Sequence, residues 1–596
     1  MILVTVVNKG IYDLSPIIFE FKDKIQEHII VYDIDYKEKK LAKRLKNSII
    51  KINEKYNISN KISFIEVDED KKVDMVNIQK KLSKLKPNRL YLNATNSDIS
   101  LVVVLSGYIL NQGGKVIAYD KGDNSYNIID KNGFENYYIK DSMNLDDFLI
   151  FMDYNLISEE DKEYIISNRE SLFFLFQNFQ DMFIIRTLLH NKQLNRIKTK
   201  YRAYYEHIQK LNLINNPVCF GILFEKFVYL KLIQFNFDDI KIGAIVEFNN
   251  EYSNEFDILA IKDNHIYTIE CKIGGNINIK PNDVIYKSDS LLEHFGYDSK
   301  SIIINMQKDN QPLNFKAKIL KRARSSNIEV YNEYKFNTSD FHNLVMEFFG
   351  VKSRIFLLGG IDLEMIEIKN ILDKKGLKYK NKNLSWGAKL SSYGLNHKYE
   401  FVGIELIKDI DLDNISYIDI DHHNELQDRD SSISQIANLL NIKLNRYQKL
   451  VSLNDSGYIP AMIDFGATIE EIEDIRKKDR YYQGVTSRDE ELAEESISQM
   501  QKKGDIYIIK SKSDKFSPII DELYGKNVII YRDNELNYYG RNIKRLVKNY
   551  QDLIDKAEAY YGGNYGFFGI AKDKFSKNEI YNIRDNIIKI LQKKSN

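Results

Sequence analysis

Four residues in the stretch 217–272, Glu225, Asp257, Glu270 and Lys272, are of the types that cutting a phosphodiester requires. Asp257 lies in Asn254-Glu255-Phe256-Asp257-Ile258-Leu259, an acid at the start of an expected apolar strand. A turn at Asp263-Asn264 follows, and the next expected strand, Ile266–Ile269, runs into Glu270-Cys271-Lys272. Alternate residues of a strand share a face, so Glu270 and Lys272 point one way and Cys271 the other. Two adjacent antiparallel strands would carry Asp257 and Glu270 to one place. Glu225 belongs to the preceding expected helix, Phe220–Phe235. Carboxylates hold Mg²⁺ or Mn²⁺ through oxygen, and such an ion polarises a phosphate and acidifies water. Lys272 can orient or deprotonate that water, or neutralise developing negative charge. Glu225 would add a ligand or position the others. A Glu-x-Lys triplet alone means little where 29% of residues are charged. The ordered set of helix Glu, strand Asp and hairpin-linked Glu-x-Lys is far more restrictive.

A second acidic set lies nearer the C-terminus. An expected strand Ile355–Leu358 leads to Asp362 and Glu364, and another, Phe401–Ile404, ends at Glu405. A third, Ile415–Ile420, ends in Asp421-His422-His423-Asn424-Glu425; Asn454-Asp455 and Tyr561-Gly562-Gly563-Asn564-Tyr565-Gly566 follow. Asp362, Glu364, Glu405, Asp421, His422 and Asp455 are the candidate metal ligands. The only other histidine after residue 351 is His397, so the adjacent pair does not come from a His-rich background.

The elements that must position these groups fall into territories. At 596 residues the chain exceeds what one hydrophobic core can organise. Residues 1–145 alternate β-branched runs (Ile2–Val7, Ile29–Tyr32, Ile62–Val67, Arg89–Asn93, Lys115–Tyr119) with amphipathic stretches such as Tyr36–Tyr56 and Ile99–Asn111. That alternation predicts a parallel, Rossmann-like α/β sheet. No GxGxxG fingerprint accompanies it, so a nicotinamide cofactor is not indicated. Residues 146–216 carry apolar positions at helical spacing (Phe173, Phe176, Phe179, Phe183) and a basic stretch, His190 to Arg202, and read as a helical connector. Residues 217–350 hold the first acidic set in a mixed α/β pattern. Residues 351–596 form a further α/β region, with the junction near Lys352–Arg354.

Lys+Arg at 86 against Asp+Glu at 85 excludes a uniformly basic coat but permits a local basic channel. Two cysteines, Cys219 and Cys271, exclude a disulfide framework and a Cys-rich zinc module. The opening MILVTVVNKG lacks the basic start and long apolar run of a signal peptide, and no stretch approaches a membrane span, so a cytoplasmic protein with no membrane partner is expected. The charge runs Asp474–Arg480 and Ser487–Glu494 read as solvated helix faces. Trp386, the single tryptophan, suits a packed loop anchor or a stacking platform equally.

Two segments of the first territory could cradle an anion. One is Val7-Asn8-Lys9-Gly10 after the first strand; the other is Tyr91-Leu92-Asn93-Ala94-Thr95-Asn96-Ser97-Asp98, leading into the helix Ile99–Leu110. Small hydroxyl and amide residues before a helix, with its free N–H groups and positive dipole end, attract phosphate. Asn8, Lys9, Gly10, Asn93, Thr95, Asn96 and Ser97 are the candidate ligand-binding residues.

The first acidic set is of the PD-(D/E)xK type. With the preceding α/β domain, residues 1–345 resemble the CARF-fused ancillary nucleases of type III CRISPR systems in domain order and approximate length. The resemblance implies a homodimer whose CARF domains bind a cyclic oligoadenylate activator, and a nucleic-acid substrate. The sequence departs from that family's Gly-Gly-Thr-Lys-like pattern at Asn96-Ser97-Asp98. The second acidic set resembles the DHH phosphoesterases, which implies a pair of Mn²⁺ ions. Glu364 and Glu405 stand where that pattern has Asp, and the Gly-Gly segment lacks the usual histidine. Two other classes fit the same residues: a DNA-repair or restriction-type nuclease with a protein-binding N-terminal domain, and a non-enzymatic nucleotide sensor.

Overall fold

The computed structural model describes residues 1–592 except 8–9, 69–77, 96–98, 177, 216–219, 250, 274–280, 297–298, 307–316, 332–338, 386, 424–425, 427 and 563–565. Asn8, Lys9, Asn96, Ser97, Cys219, Trp386, Asn424 and Glu425 therefore lie outside the described residues, as do Gly563, Asn564 and Tyr565. The protein is a multidomain α/β molecule with four sheets among the described residues. It forms two compact units. The first comprises Met1–Ile355, Lys374–Lys378 and Lys398–Glu400; the second comprises Phe356–Asp373, Tyr379–His397 and Phe401–Asn596.

In the first unit, β1 (Ile2–Val7), β2 (Glu27–Asp33), β3 (Lys61–Val67), β4 (Leu90–Asn93) and β5 (Lys115–Asp120) form a parallel sheet. It is extended antiparallel by β6 (Ser125–Asp130) and β7 (Gly133–Tyr138), giving the order β3-β2-β1-β4-β5-β6-β7. β1 is buried along its whole length, as its uninterrupted apolar run requires of a strand covered on both faces. The crossover helix Tyr36–Tyr56 is capped by Asp35, which accepts from the Lys37 amide, and ends at left-handed Asn57. The chain turns from β1 to β2 on one side and later to β4 on the other. This reversal opens a crevice beyond the carboxyl ends of β1 and β4.

The second sheet of this unit has the order β13-β12-β11-β10-β9-β8, from β8 (Tyr154–Ser158), β9 (Asp239–Phe248), β10 (Tyr252–Lys262), β11 (His265–Ile273), β12 (Lys300–Met306) and β13 (Ile328–Tyr331). Strands β8 to β11 are antiparallel neighbours, while β11, β12 and β13 run parallel. The stretch 146–216, expected to be helical throughout, thus also contributes the edge strand β8. Its register slips at Leu156/Ser158, which hid a short strand from a periodicity argument.

A third sheet, mostly of second-unit residues, has the order β15-β14-β16-β17, from β14 (Ser353–Leu358), β15 (Tyr379–Asn381), β16 (Tyr399–Ile404) and β17 (Ser416–Ile420). Helices between residues 432 and 498 follow, and then a six-stranded sheet within residues 501–570. The charge run 474–480 departs from its expected solvated face. Arg476 and Asp479 are buried, with Arg476 Nη1 donating to Asp479 Oδ2 at 2.8 Å and to Asn454 Oδ1 at 2.9 Å. Burying a charge is tolerable because each one finds its opposite there.

Candidate functional site

The hairpin β10–β11 builds the first site. Ile258 pairs with Ile269, which brings Asp257 beside Glu270 and the start of Cys271. Asp257 stands mid-strand rather than at the strand start, because β10 begins at Tyr252. Its Oδ2 accepts from the Cys271 amide at 2.7 Å, locking the carboxylate across the hairpin. Lys272 Nζ lies 3.4 Å from Asp257 Oδ2 and 2.5 Å from Glu270 Oε1. As alternation requires, Cys271 faces the other way, into the apolar core. Glu225 comes from the helix Phe220–Leu232 behind the hairpin.

The electrostatics tie these four groups together. Burial, reinforced by the charge of Asp257 and opposed by Lys272, pushes the Glu225 carboxyl up to about 8. Asp257 is also raised, by burial and then by Glu270, against the pull of Lys272 and the Cys271 amide. Burial alone would push Lys272 down. The charges of Asp257 and Glu270 and the hydrogen bond to Glu270 outweigh it and hold the ammonium above its ordinary range. Lys272 is therefore a cation held between two carboxylates, placed to neutralise charge that develops there. Lys287, on the helix Pro281–Leu292, adds a second cation 3.7 Å from Glu270 Oε1. Its approach to Glu270 depends on how that helix folds over the sheet. Asp257 and Glu270 offer carboxylate oxygens, the donor type that Mg²⁺ and Mn²⁺ take.

The second unit holds a denser cluster. Ligand atoms of Glu405, His422, His423 and Asp455 all lie within 4.8 Å of one another. His422 Nε2 is 2.6 Å from Asp455 Oδ2, 3.6 Å from Glu364 Oε2 and 4.0 Å from Glu405 Oε1. Glu364 is 2% exposed, with Oε1 accepting from the Ile433 amide at 3.0 Å. Its Oε2 and Glu405 Oε1 are buried oxygens that meet no hydrogen-bond donor. Burial, then the charge of Asp455, raises both Asp362, to about 6, and Glu364; Glu405 is raised by burial and then by Glu364. Acceptor oxygens orphaned this deeply cost free energy unless a cation or a proton satisfies them, so the donor set fits a metal ion.

Asp421 stands one step back from this cluster. Its Oδ1 accepts from the His423 backbone amide at 2.9 Å and lies 3.0 Å from His423 Nδ1, so it orients His423. His423, absent from the expected ligand set, takes the forward place. The repeated histidine was the available signal, and both rings join the cluster. Glu405 follows β16 with φ of 54°, a left-handed conformation unusual for glutamate. Gly359 makes room for it, since a Cβ there would meet the Glu405 carbonyl oxygen at 2.3 Å.

At the crevice of the parallel sheet lies a cavity of about 660 Å³, lined by Gly10, Tyr12, Thr95, Tyr119 and Lys121 among others. Lys121 Nζ sits 3.8 Å from the centre of the Tyr12 ring and 3.2 Å from Asp13 Oδ1. Of the expected ligand-binding residues, Gly10 and Thr95 line this cavity. Asn93 is fully buried, its amide donating to the Leu14 carbonyl at 3.3 Å and its oxygen accepting from the Thr95 amide at 3.2 Å. It ties the two loops together from beneath.

A mixed sheet brings Asp257, Glu270 and Lys272 together on one hairpin, with the helix that carries Glu225 packed against it. Residues 217–337 match the family model described as the Card1-like endonuclease domain. No curated protein matches the chain. Among solved structures, the chain is similar to Can2 from Sulfobacillus thermosulfidooxidans in complex with cyclic tetra-adenylate, at 18% identity and a TM-score of 0.45, covering 58% of this chain and 99% of that one. It is similar to protein VC1899 from Vibrio cholerae at 14% identity and a TM-score of 0.45, covering 59% and 98%. A type III CRISPR defence DNA nuclease activated by cyclic oligoadenylate matches at 11% identity and a TM-score of 0.33, covering 52% and 46%.

Proposed function

We propose that this chain is a metal-dependent endonuclease, switched by a cyclic oligoadenylate in antiviral defence and acting in the cytoplasm as a homodimer. The observation that carries the reading is the convergence of Asp257, Glu270 and Lys272 on one hairpin inside the segment that matches an endonuclease-domain family. Asp257 and Glu270, with Glu225 behind them, would hold Mg²⁺ or Mn²⁺, which supplies Lewis acidity to the scissile phosphate and a more acidic water. Lys272 on the hairpin and Lys287 on the neighbouring helix neutralise charge that builds on the phosphate.

The activator reading rests on the crevice at the strand-order reversal, where Gly10, Thr95 and Lys121 line a cavity of about 660 Å³. The homodimer is supported by the helix Ile99–Asn111, which carries no charged side chain and exposes Ile99 at 78% and Val103 at 63%. In the second unit, the cluster Glu364, Glu405, His422, His423 and Asp455 supports a second, DHH-like phosphodiesterase activity on small oligonucleotides with Mn²⁺. Its role would be degradation of the activator or trimming of cleavage products.

The test is a substrate panel of RNA, single-stranded DNA and duplex DNA, with Mg²⁺ or Mn²⁺, with and without cyclic tetra- or hexa-adenylate. Metal-dependent cleavage stimulated by one activator is expected. Equal cleavage with and without activator would reject the sensor and leave a nuclease of the repair or restriction kind.

A further inference from the structure

The turn that joins the two strands of the nuclease hairpin is held by the first sheet. Lys262 pairs with His265 across the two-residue turn Asp263-Asn264, and both turn residues are left-handed, with φ of 50° and 62°. That geometry favours glycine at the second position. The turn instead carries Asn264, which is only 3% exposed. Its side chain and its carbonyl oxygen are spent on the first sheet and the loops around it. Asn264 Oδ1 accepts from the Met143 amide at 2.9 Å, and Nδ2 donates to Asn124 Oδ1 at 3.0 Å. Its carbonyl accepts from the Tyr12 hydroxyl at 3.3 Å. Asn124 Oδ1 also accepts from the Tyr119 hydroxyl at 2.9 Å.

Tyr12 and Tyr119 both line the cavity beyond β1 and β4. Two walls of that cavity therefore end on one turn, Tyr12 directly and Tyr119 through Asn124. From this turn β10 runs straight to Asp257, about 17 Å away along an extended strand. β11 runs back to Glu270 and Lys272, and the paired strands move as one stiff element.

We infer that Asn264 is a positioning residue that couples the cavity to the nuclease site. A ligand that shifts Tyr12 and Tyr119 changes the seat of the turn, and the hairpin carries that change to Asp257, Glu270 and Lys272. The inference rests on the activator reading of the cavity given above. A cyclic oligoadenylate would act through it only to the extent that it prefers one seating of the turn over the other.

Asn264→Gly separates this role from a merely structural one, since glycine suits the turn and removes only the side-chain clamp. Asn124→Gly removes the acceptor on the other side, at a residue that is itself left-handed with φ of 46°. The full-length chain would be assayed for cleavage with and without cyclic tetra- and hexa-adenylate, and for binding of each by calorimetry. In both variants stimulation is expected to fall at least about fivefold, the lower end of ordinary coupling between sites. The unstimulated rate should stay at its parental value, and both variants should still bind the activator that the parent binds. Parental stimulation in both variants would overturn the inference, and so would an equal loss of stimulated and unstimulated rates. A parent that binds neither activator, or binds without stimulation, would instead bring down the sensor reading on which the inference stands.

Discussion

Replacing Lys272 by methionine should tighten metal binding while abolishing turnover. The ammonium lies 3.4 Å from Asp257 Oδ2 and 2.5 Å from Glu270 Oε1, with its side chain 26% exposed. At about 3 Å, each attraction is worth roughly 1–5 kcal/mol before desolvation, for an effective dielectric between about 80 and 20. Partial exposure and the lysine's own desolvation reduce this, so the metal-free variant should lose only about 1–2 kcal/mol of stability. The same cation opposes any divalent ion seated on these carboxylates. A +1 and a +2 charge about 4 Å apart repel by about 2 kcal/mol even in a water-like dielectric, so Mn²⁺ should bind the variant roughly tenfold or more tightly. Cleavage should nevertheless fall at least about 100-fold, because charge on the phosphate loses its fixed counter-ion. Calorimetric Mn²⁺ titration and cleavage of a fluorophore-quencher oligonucleotide read the two effects separately. Mn²⁺ binding tenfold weaker than the parent's would mean that Lys272 builds the site rather than stabilising charge, and would refute the argument.

For the second site, His422→Ala should remove Mn²⁺-dependent hydrolysis of short oligonucleotides while leaving cleavage by the first site unchanged. Gly359→Ala should reach the same end from outside the ligand set, because its Cβ would displace the Glu405 backbone; hydrolysis that survives in both variants would remove the metal role. A pH effect follows from His28, which is fully buried beside Thr5, with Nε2 2.8 Å from its Oγ1. Burial pushes this imidazole down from 6.5 to about 3. The folded state thus resists a proton that the unfolded state accepts, so stability is intact above pH 6.5 and declines as pH falls toward 3. At pH 5 the loss due to His28 is about 2 kcal/mol. Urea midpoints at pH 7 and pH 5 should differ by less in His28→Leu, and an unchanged difference would exclude this source.

The sequence alone carried the hairpin of the first site and the shared face of Glu270 and Lys272. Glu270-x-Lys272 shares a face in any strand, and a two-residue turn at Asp263-Asn264 brings Asp257 opposite whatever the rest of the fold does. The bounds of Tyr36–Tyr56 and Ile99–Asn111 were legible for a similar reason, since helical periodicity and caps are local. Whatever depends on partners distant in the chain was not legible. β8 joins β9 across more than eighty residues, and its short run had no pattern of its own. Arg476 and Asp479 look like any solvated charge run until Asn454 and Asp521 close around them. His423 joins the acidic cluster while Asp421 binds its ring from behind, a division that residue types alone do not settle. Asn264 reads in the sequence as an ordinary turn residue. Its carbonyl, amide and side-chain oxygen acquire partners only when residues 12, 124 and 143 are folded against it. Residue types and near-neighbour geometry settle which chemistry is available. Long-range packing decides which groups are buried together, and therefore which charges must be shared, neutralised or coupled.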